Sequence, residues 1–261
     1  MPACILHLVS LSSSVPQSRF LSALSSSSLK PLIIAKVIRW IITPTQLSVP
    51  ALLHPKSPWD LFIVTEGPSS LPSDLKLMLV GYWSLTAGVP SRLVNNFADR
   101  NEKILHPPPT SIPALTGSLE KPRVASSAQG LEFTEDLSQW ISSFSKSSGR
   151  GAVSMLNLLA FNPGMKDEYL KYGKAFAETI GARRGGNAKI VGNVIDKEQG
   201  WDEIAVAHYP SIMHFADMLA SDDYQKVNHR HRIPSLKDTC ILCTSEIALE
   251  EMGIGQRAAK L

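Results

Sequence analysis

The residues best suited to chemistry crowd the last third of the chain. His208, His214, His229 and His231 lie among Tyr209, Tyr224 and Arg232, and Asn157, Tyr169 and Tyr172 precede them. Imidazole titrates near neutrality and can take or give a proton, so His208 and His229 are candidate general bases beside a bound enol or phenol. Tyr209, next to His208, is the candidate acid, because a tyrosine hydroxyl can donate to a developing oxyanion. Asn157 is an amide inside the apolar run 153–161, placed to bind a ligand carbonyl or to satisfy nearby backbone. Tyr169, Tyr172, His214, Phe215 and Tyr224 would complete a substrate-binding wall. Arg232 can hold a carboxylate or enolate, or else pair with Asp222 or Asp223.

Other patterns fail on their own geometry. Cys240 and Cys243 form a CxxC, but within an apparent strand residues three apart point to opposite faces, unlike a redox pair opening a helix. The glycines around Arg183 and Arg184 do not follow a strand, as a dinucleotide loop must. His229 and His231 would share a face only on a strand, and no acidic partner has ligand spacing, so no metal site is expected. With no nucleotide motif either, no cofactor is expected.

These side chains need elements to position them. The run 153–161, closed by Asn162-Pro163-Gly164, predicts a strand. Tyr169, Tyr172, Phe176 and Ile180 at spacings of three and four predict a helix over 165–182, stopped by Gly185-Gly186. Strand-like runs at 188–195 and 201–209 flank a charged turn ending in Gly200, and Pro210 ends the second. Ile212, Phe215, Ala216 and Leu219 share a helical face, and 238–247 supplies a last strand. The order βαββαβ predicts an α+β, ferredoxin-like module over 151–247 with two helices on one sheet face.

The other sheet face must be buried, and the chain offers its own cover. Residues 5–11 run parallel in type to 155–161, and Trp59-Asp60 through Pro68-Ser69 to Trp201-Asp202 through Pro210-Ser211. Residues 15–29 would be the first helix of this copy and 32–42 its second strand; a fourth strand is not evident, and 91–105 looks helical. Residues 1–105 are therefore expected to be a diverged second copy, giving an intrachain pseudo-dimer, with further homodimerisation left open. Prolines 107, 108, 109, 113 and 122 mark 106–130 as a linker. Residues 131–150 carry a short amphipathic helix capped by Thr134, and 248–261 form a tail.

The C-terminal motifs resemble the DUF1330 group of the dimeric α/β-barrel superfamily, in a two-domain variant. The resemblance rests on 155–161, Tyr169 with Tyr172, Gly185-Gly186, Trp201-Asp202, Tyr209-Pro210-Ser211, Phe215, 221–225 and Arg232. It implies the dimeric α/β-barrel fold. It supplies no reaction, since the wider superfamily spans cofactor-independent monooxygenases, polyketide cyclases, isomerases, aldoxime dehydratases and haem-degrading enzymes.

Composition bounds the rest. A chain of 261 residues, 44% hydrophobic and with net charge +3, can fill a core and lacks the basic surface that nucleic acid requires. No apolar segment is long enough for a bilayer span, so no membrane association is expected. Three cysteines point to a reducing, cytoplasmic setting, against which the Ser-rich, acid-poor first thirty residues offer an organellar transit peptide as the alternative. The expectation is a cofactor-independent cyclase, isomerase, dehydratase or monooxygenase of secondary metabolism, acting on an aromatic or polyketide-like small molecule. The alternatives are a non-catalytic binding or structural protein and, third, a haem or flavin carrier.

Overall fold

Short apolar runs closed by turn residues make Ala3–Leu11 the first strand (β1), and β-branched Lys30–Ile42 the second (β2). The computed structural model describes residues 1–251 and continues with β3 (Leu61–Glu66), β4 (Leu79–Gly88), β5 (Val153–Phe161), β6 (Asn187–Val194), β7 (Glu203–Tyr209) and β8 (Leu236–Ser245). In the first half α1 (Gln17–Ser25), α2 (Val49–Leu53), α3 (Ser73–Lys76), α4 (Ser91–Val94) and α5 (Phe97–Leu105) are helical. The second half adds α6 (Glu135–Phe144), α7 (Lys166–Ala175), α8 (Ile212–Leu219), α9 (Asp222–Val227) and α10 (Ile247–Glu250). Most of the tail expected at 248–261 lies outside the described residues.

All eight strands close into one antiparallel barrel in the order β1-β3-β2-β8-β5-β7-β6-β4. Each half contributes the split-βαβ order, β4-β1-β3-β2 and β8-β5-β7-β6. The fold is thus α+β and of the ferredoxin-like, dimeric α/β-barrel type. The fourth strand of the first half, missing from the sequence reading, is β4. Tyr82, Ser84 and Thr86 alternate there with the buried Trp83, Leu85 and Ala87.

The two halves meet at unequal seams. β2 and β8 share five register pairs from Lys36↔Ser245 to Ile42↔Ile241, whereas β4 and β6 share only Ala87↔Val194 and Gly88↔Asn193. Inside the barrel, Leu6, Ile33, Phe62, Leu85, Leu156, Ile190, Val206 and Leu242 pack together, one from each strand. Outside, α1 and α3 set Phe20, Leu24 and Leu75 on Val9, Leu61 and Ile63; α6 to α9 cover the second half.

The paired Trp-Asp blocks perform the same task twice. Asp60 Oδ2 accepts from the Leu11 amide at 2.7 Å, and Asp202 Oδ2 from the Phe161 amide at 2.9 Å. Their own amides donate to Val9 and Leu159 carbonyls at 2.9 and 2.8 Å. Trp59 and Trp201 both join the barrel interior.

The Pro-rich segment is pinned to the second half. Asp217, fully buried, accepts from the Thr116 amide and hydroxyl, at 3.1 and 2.6 Å, and from the Ser118 amide at 3.0 Å. Buried Arg184 donates to Asp217 at 3.0 Å and to Asp223 at 3.1 Å. The α6 cap is as expected: the Thr134 hydroxyl accepts from the Leu137 amide at 3.2 Å. Cys240 faces the barrel interior and Cys243 the helical layer, so the two thiols point apart.

Candidate functional site

Strand parity decides which side chains meet. On β7, Ile204, Val206 and His208 face the barrel interior, while Glu203, Ala205, Ala207 and Tyr209 face the helices. On β5, Asn157 falls on the helical face with Met155 and Leu159. Ala205 and Ala207, with Ala188 and Gly192 on β6, are too small to fill the space under α7. A cleft of about 500 Å³ results.

Helix α7 supplies its outer wall with Tyr169, Tyr172 and, just past its end, Phe176. The expected helix over 165–182 is not uniform. It widens into a π turn at Phe176–Ile180, and Gly185 then takes a left-handed φ of 71°. A Cβ at Gly185 would stand 2.5 Å from the Pro210 ring, so only glycine fits there. A second π turn, Asn228–Arg232, follows α9 and carries Arg232. π turns recur at functional sites, and both here pack against α7. Arg92 and Leu93 of α4, from the first half, complete the rim.

Of the residues singled out from sequence, Asn157, Tyr169, Tyr172, Tyr209 and Phe215 line this cleft. The Asn157 amide nitrogen donates to the Met155 carbonyl at 2.9 Å, which leaves its carbonyl end uncommitted. Tyr209 directs its hydroxyl at the Met218 sulfur, 3.5 Å away. Tyr224 stands one layer behind, its hydroxyl 3.3 Å from that of Tyr172. Arg232 is buried, its charge acts on the Tyr169, Tyr172 and Tyr224 hydroxyls, and it pairs with neither Asp222 nor Asp223; Arg183 and Arg184 take Asp223.

The histidines go elsewhere. His208 lies inside the barrel, where burial and then the Lys189 charge lower its pKa to about 3. Its Nδ1 has no hydrogen-bond partner among the described residues. Lys189 there is paired with Glu246, to which Asn101 also donates at 2.6 Å. His214 is held by Ser211 at 2.8 Å and the Pro113 carbonyl at 2.9 Å. His229 is a half-exposed partner of Glu132, and His231 pairs with Glu168. None of the four lines the cleft.

The residue that sequence reasoning missed is Glu203. It is 7% exposed and lines the cleft. Desolvation raises its pKa above the usual glutamate value, Asp202 adds to that, and Lys166, 3.9 Å away, opposes it. Burial also raises the Tyr169 and Tyr172 hydroxyls, against which the Arg232 charge pulls. A buried carboxylate, hydroxyl donors and an amide on an apolar wall can move a proton and steady the oxyanion left behind. In the first half the matching face is occupied. His7, at the position that echoes Asn157, is fully buried and bonded to Thr65 and Tyr82, both at 3.0 Å.

No group of three His, Cys, Asp or Glu side chains that could hold a metal ion occurs among the described residues. Among those residues no helix is long and apolar enough to cross a membrane. No family model and no curated protein sequence matches the chain. Among solved structures it is similar to a protein of unknown function from Rhodopseudomonas palustris, at 22% identity, over 40% of this chain and 89% of that one, with a TM-score of 0.33. The methylated form of that protein gives 21%, 43%, 90% and 0.36. A variant chlorite dismutase from Candidatus Nitrospira defluvii is 9% identical over 99% of this chain and 95% of that one, with a TM-score of 0.42. The strand order, rather than these matches, carries the fold.

Proposed function

We propose that this chain is a cofactor-independent enzyme that isomerises, cyclises or dehydrates an aromatic or polyketide-like small molecule by proton transfer. Its two halves are read as a diverged, fused pair, of which the C-terminal one keeps an open cleft. The observation that carries the reading is Glu203, a buried carboxylate facing an apolar cleft that tyrosine rings and Asn157 also line. The Glu203 carboxylate takes a proton from a carbon next to a carbonyl, the C–H electrons pass to the carbonyl oxygen, and a tyrosine hydroxyl donates to that oxygen. Return of the proton from Glu203 to another carbon completes an isomerisation and restores the carboxylate. Closure of the barrel within one chain means no second copy is needed to bury the sheet. Three free, buried thiols suit a reducing compartment such as the cytoplasm.

The test is exchange of carbon-bound hydrogen for solvent deuterium in a panel of aromatic ketones and β-dicarbonyls. Glu203→Gln is expected to slow it by about 10²- to 10⁴-fold, while His208→Ala leaves the chemistry intact. Because the base must be ionised, the rate should rise with pH through an apparent pKa above the usual 4.5 of glutamate. Ligand binding without exchange would replace this reading with that of a binding module, and a Glu203→Gln protein as active as the parent would remove Glu203 as the base.

A further inference from the structure

Among the described residues, the side chains lining the cleft include one acid, Glu203, and one cation, Arg92, and the two come from different halves of the chain. Arg92 sits on α4, is exposed, and makes no ion pair among the described residues. Glu203 already has Lys166 at 3.9 Å, so the guanidinium is the charge left without a partner. Strand register puts both groups at one end of the cleft. Glu203 pairs with Asn193, Asn193 pairs with Gly88, and Arg92 follows Gly88 by four residues. The other end is aromatic. Tyr209 stands six residues along β7 from Glu203, about 20 Å at the rise of a strand. Its ring meets those of Phe176 at 6.2 Å and Phe215 at 5.2 Å. The helix related to α4 by the internal repeat does something different: α4 leaves β4 and packs on β6, whereas α10 leaves β8 and packs on β2. There α10 sinks Leu249, 2% exposed, into the apolar layer beneath α1 and α3. At this crossing the filled face receives a leucine, and the open cleft receives an arginine beside Leu93.

We infer that the cleft takes an aromatic 2-oxo acid, its ring at the end formed by Phe176, Tyr209 and Phe215 and its carboxylate at Arg92. This rests on the reading of the cleft as a small-molecule site and adds the charge and the orientation of the ligand. A guanidinium with no acid of its own gains a charge-assisted, two-pronged hydrogen bond from a carboxylate. At the aromatic end the same carboxylate would lose its water and find no cation. Because Arg92 and Glu203 share an end, the reacting carbon must lie close to the carboxylate. A 2-oxo acid with its ring on C3 meets that demand, with carboxylate, carbonyl and acidic C–H on consecutive carbons. Glu203 takes the C3 proton, the C–H pair forms the C2–C3 double bond, and the carbonyl π pair moves to the C2 oxygen. Return of a proton from Glu203 to C3 reverses each shift and restores the carboxylate.

Titration of the full chain with 3-phenylpropanoate and with 3-phenylpropanamide, alike in shape and differing in charge, tests the assignment. Low salt is used, because screening weakens an exposed pair. The acid is expected to bind about five- to tenfold more tightly than the amide. Arg92→Gln should remove that preference without moving the amide, and Arg92→Lys should restore part of it. Arg92 is exposed, so these variants should keep the fold of the parent, which circular dichroism checks. In the exchange of C3 hydrogen of phenylpyruvate for solvent deuterium, Arg92→Gln should raise KM by the same factor and leave kcat nearly unchanged, whereas Glu203→Gln should lower kcat. Equal affinity for acid and amide, or a preference that survives Arg92→Gln, overturns the carboxylate inference while the cleft stands as a small-molecule site. A preference that depends on Arg92, without exchange, keeps the carboxylate at Arg92 and overturns the proton-transfer reading. Binding of neither molecule overturns both.

Discussion

His208 and His7 are buried where a charged imidazole has no counter-ion, one inside the barrel and one under the first helical layer. Burial lowers His208 to about 3 and His7 to about 4, with Lys189 and Lys76 adding to the two shifts respectively. The ordinary value of 6.5 describes the unfolded chain. Below it the unfolded state takes up protons that the folded state refuses, so stability falls as pH drops. For each histidine the slope is about 1.4 kcal/mol per pH unit, ending as the folded pKa is reached. Urea titrations at a series of pH values should show it, and His208→Leu should be flatter between pH 6.5 and about 3 than the parent. Carboxylates such as Asp238, which accepts from the Thr45, Gln46 and Leu47 amides, add their own acid loss. The difference between parent and variant isolates the imidazole. Identical slopes would mean that His208 is solvated or already charged.

At the scale of elements, the Trp-Asp blocks show one device used twice. Asp60 and Asp202 each hold the last amide of a neighbouring strand, Leu11 on β1 and Phe161 on β5. Asp60→Ala and Asp202→Ala should therefore each cost about 1–3 kcal/mol, because each leaves a strand-end amide unpaired. Chemical denaturation would check this, and a cost confined to one of them would show that the two blocks only look alike. The repeat was legible because a strand run and a Trp-Asp pair recur in order, and each has a period or a turn that sequence displays. β4 has its alternation at 82–87, just ahead of 91–105, which is helical as its sequence suggests and holds no fourth strand. The paired candidacy of His208 and Tyr209 conflicts with parity, since adjacent strand residues face opposite ways and cannot share a cleft. The same parity, applied to Glu203, Ala205, Ala207 and Tyr209, would have exposed an acid beside two small residues on the helix-facing side. Neither π turn was legible, because an i→i+5 turn has no residue signature. Arg232's missing partner was not legible either, since it depends on which arginines reach Asp223 first.

For the whole molecule, the inequality of the two seams matters most. The β2–β8 seam is knitted over five register pairs, while β4–β6 holds two, supported by the Ile195 amide on the Thr86 carbonyl at 2.9 Å. Local opening follows the weakest cooperative unit, so hydrogen exchange should be faster for amides at 192–195 than for those at 239–244. The narrow seam is also a wall of the cleft, because Gly192 and Asn193 of β6 and Leu93 of α4 line it. Opening the seam widens the cleft, and a ligand bound there should slow exchange at 192–195 more than at 239–244. Gly192 sets how closely the strands approach: a Cβ at that position would stand 2.9 Å from the Gly88 carbonyl oxygen. Gly192→Ala should thus push β4 from β6, speed exchange at 86–88 and 192–195, weaken ligand binding, and leave the β2–β8 amides unmoved. Uniform acceleration around the barrel would instead mean that the eight strands open as one unit, and that access to the cleft does not pass through this seam.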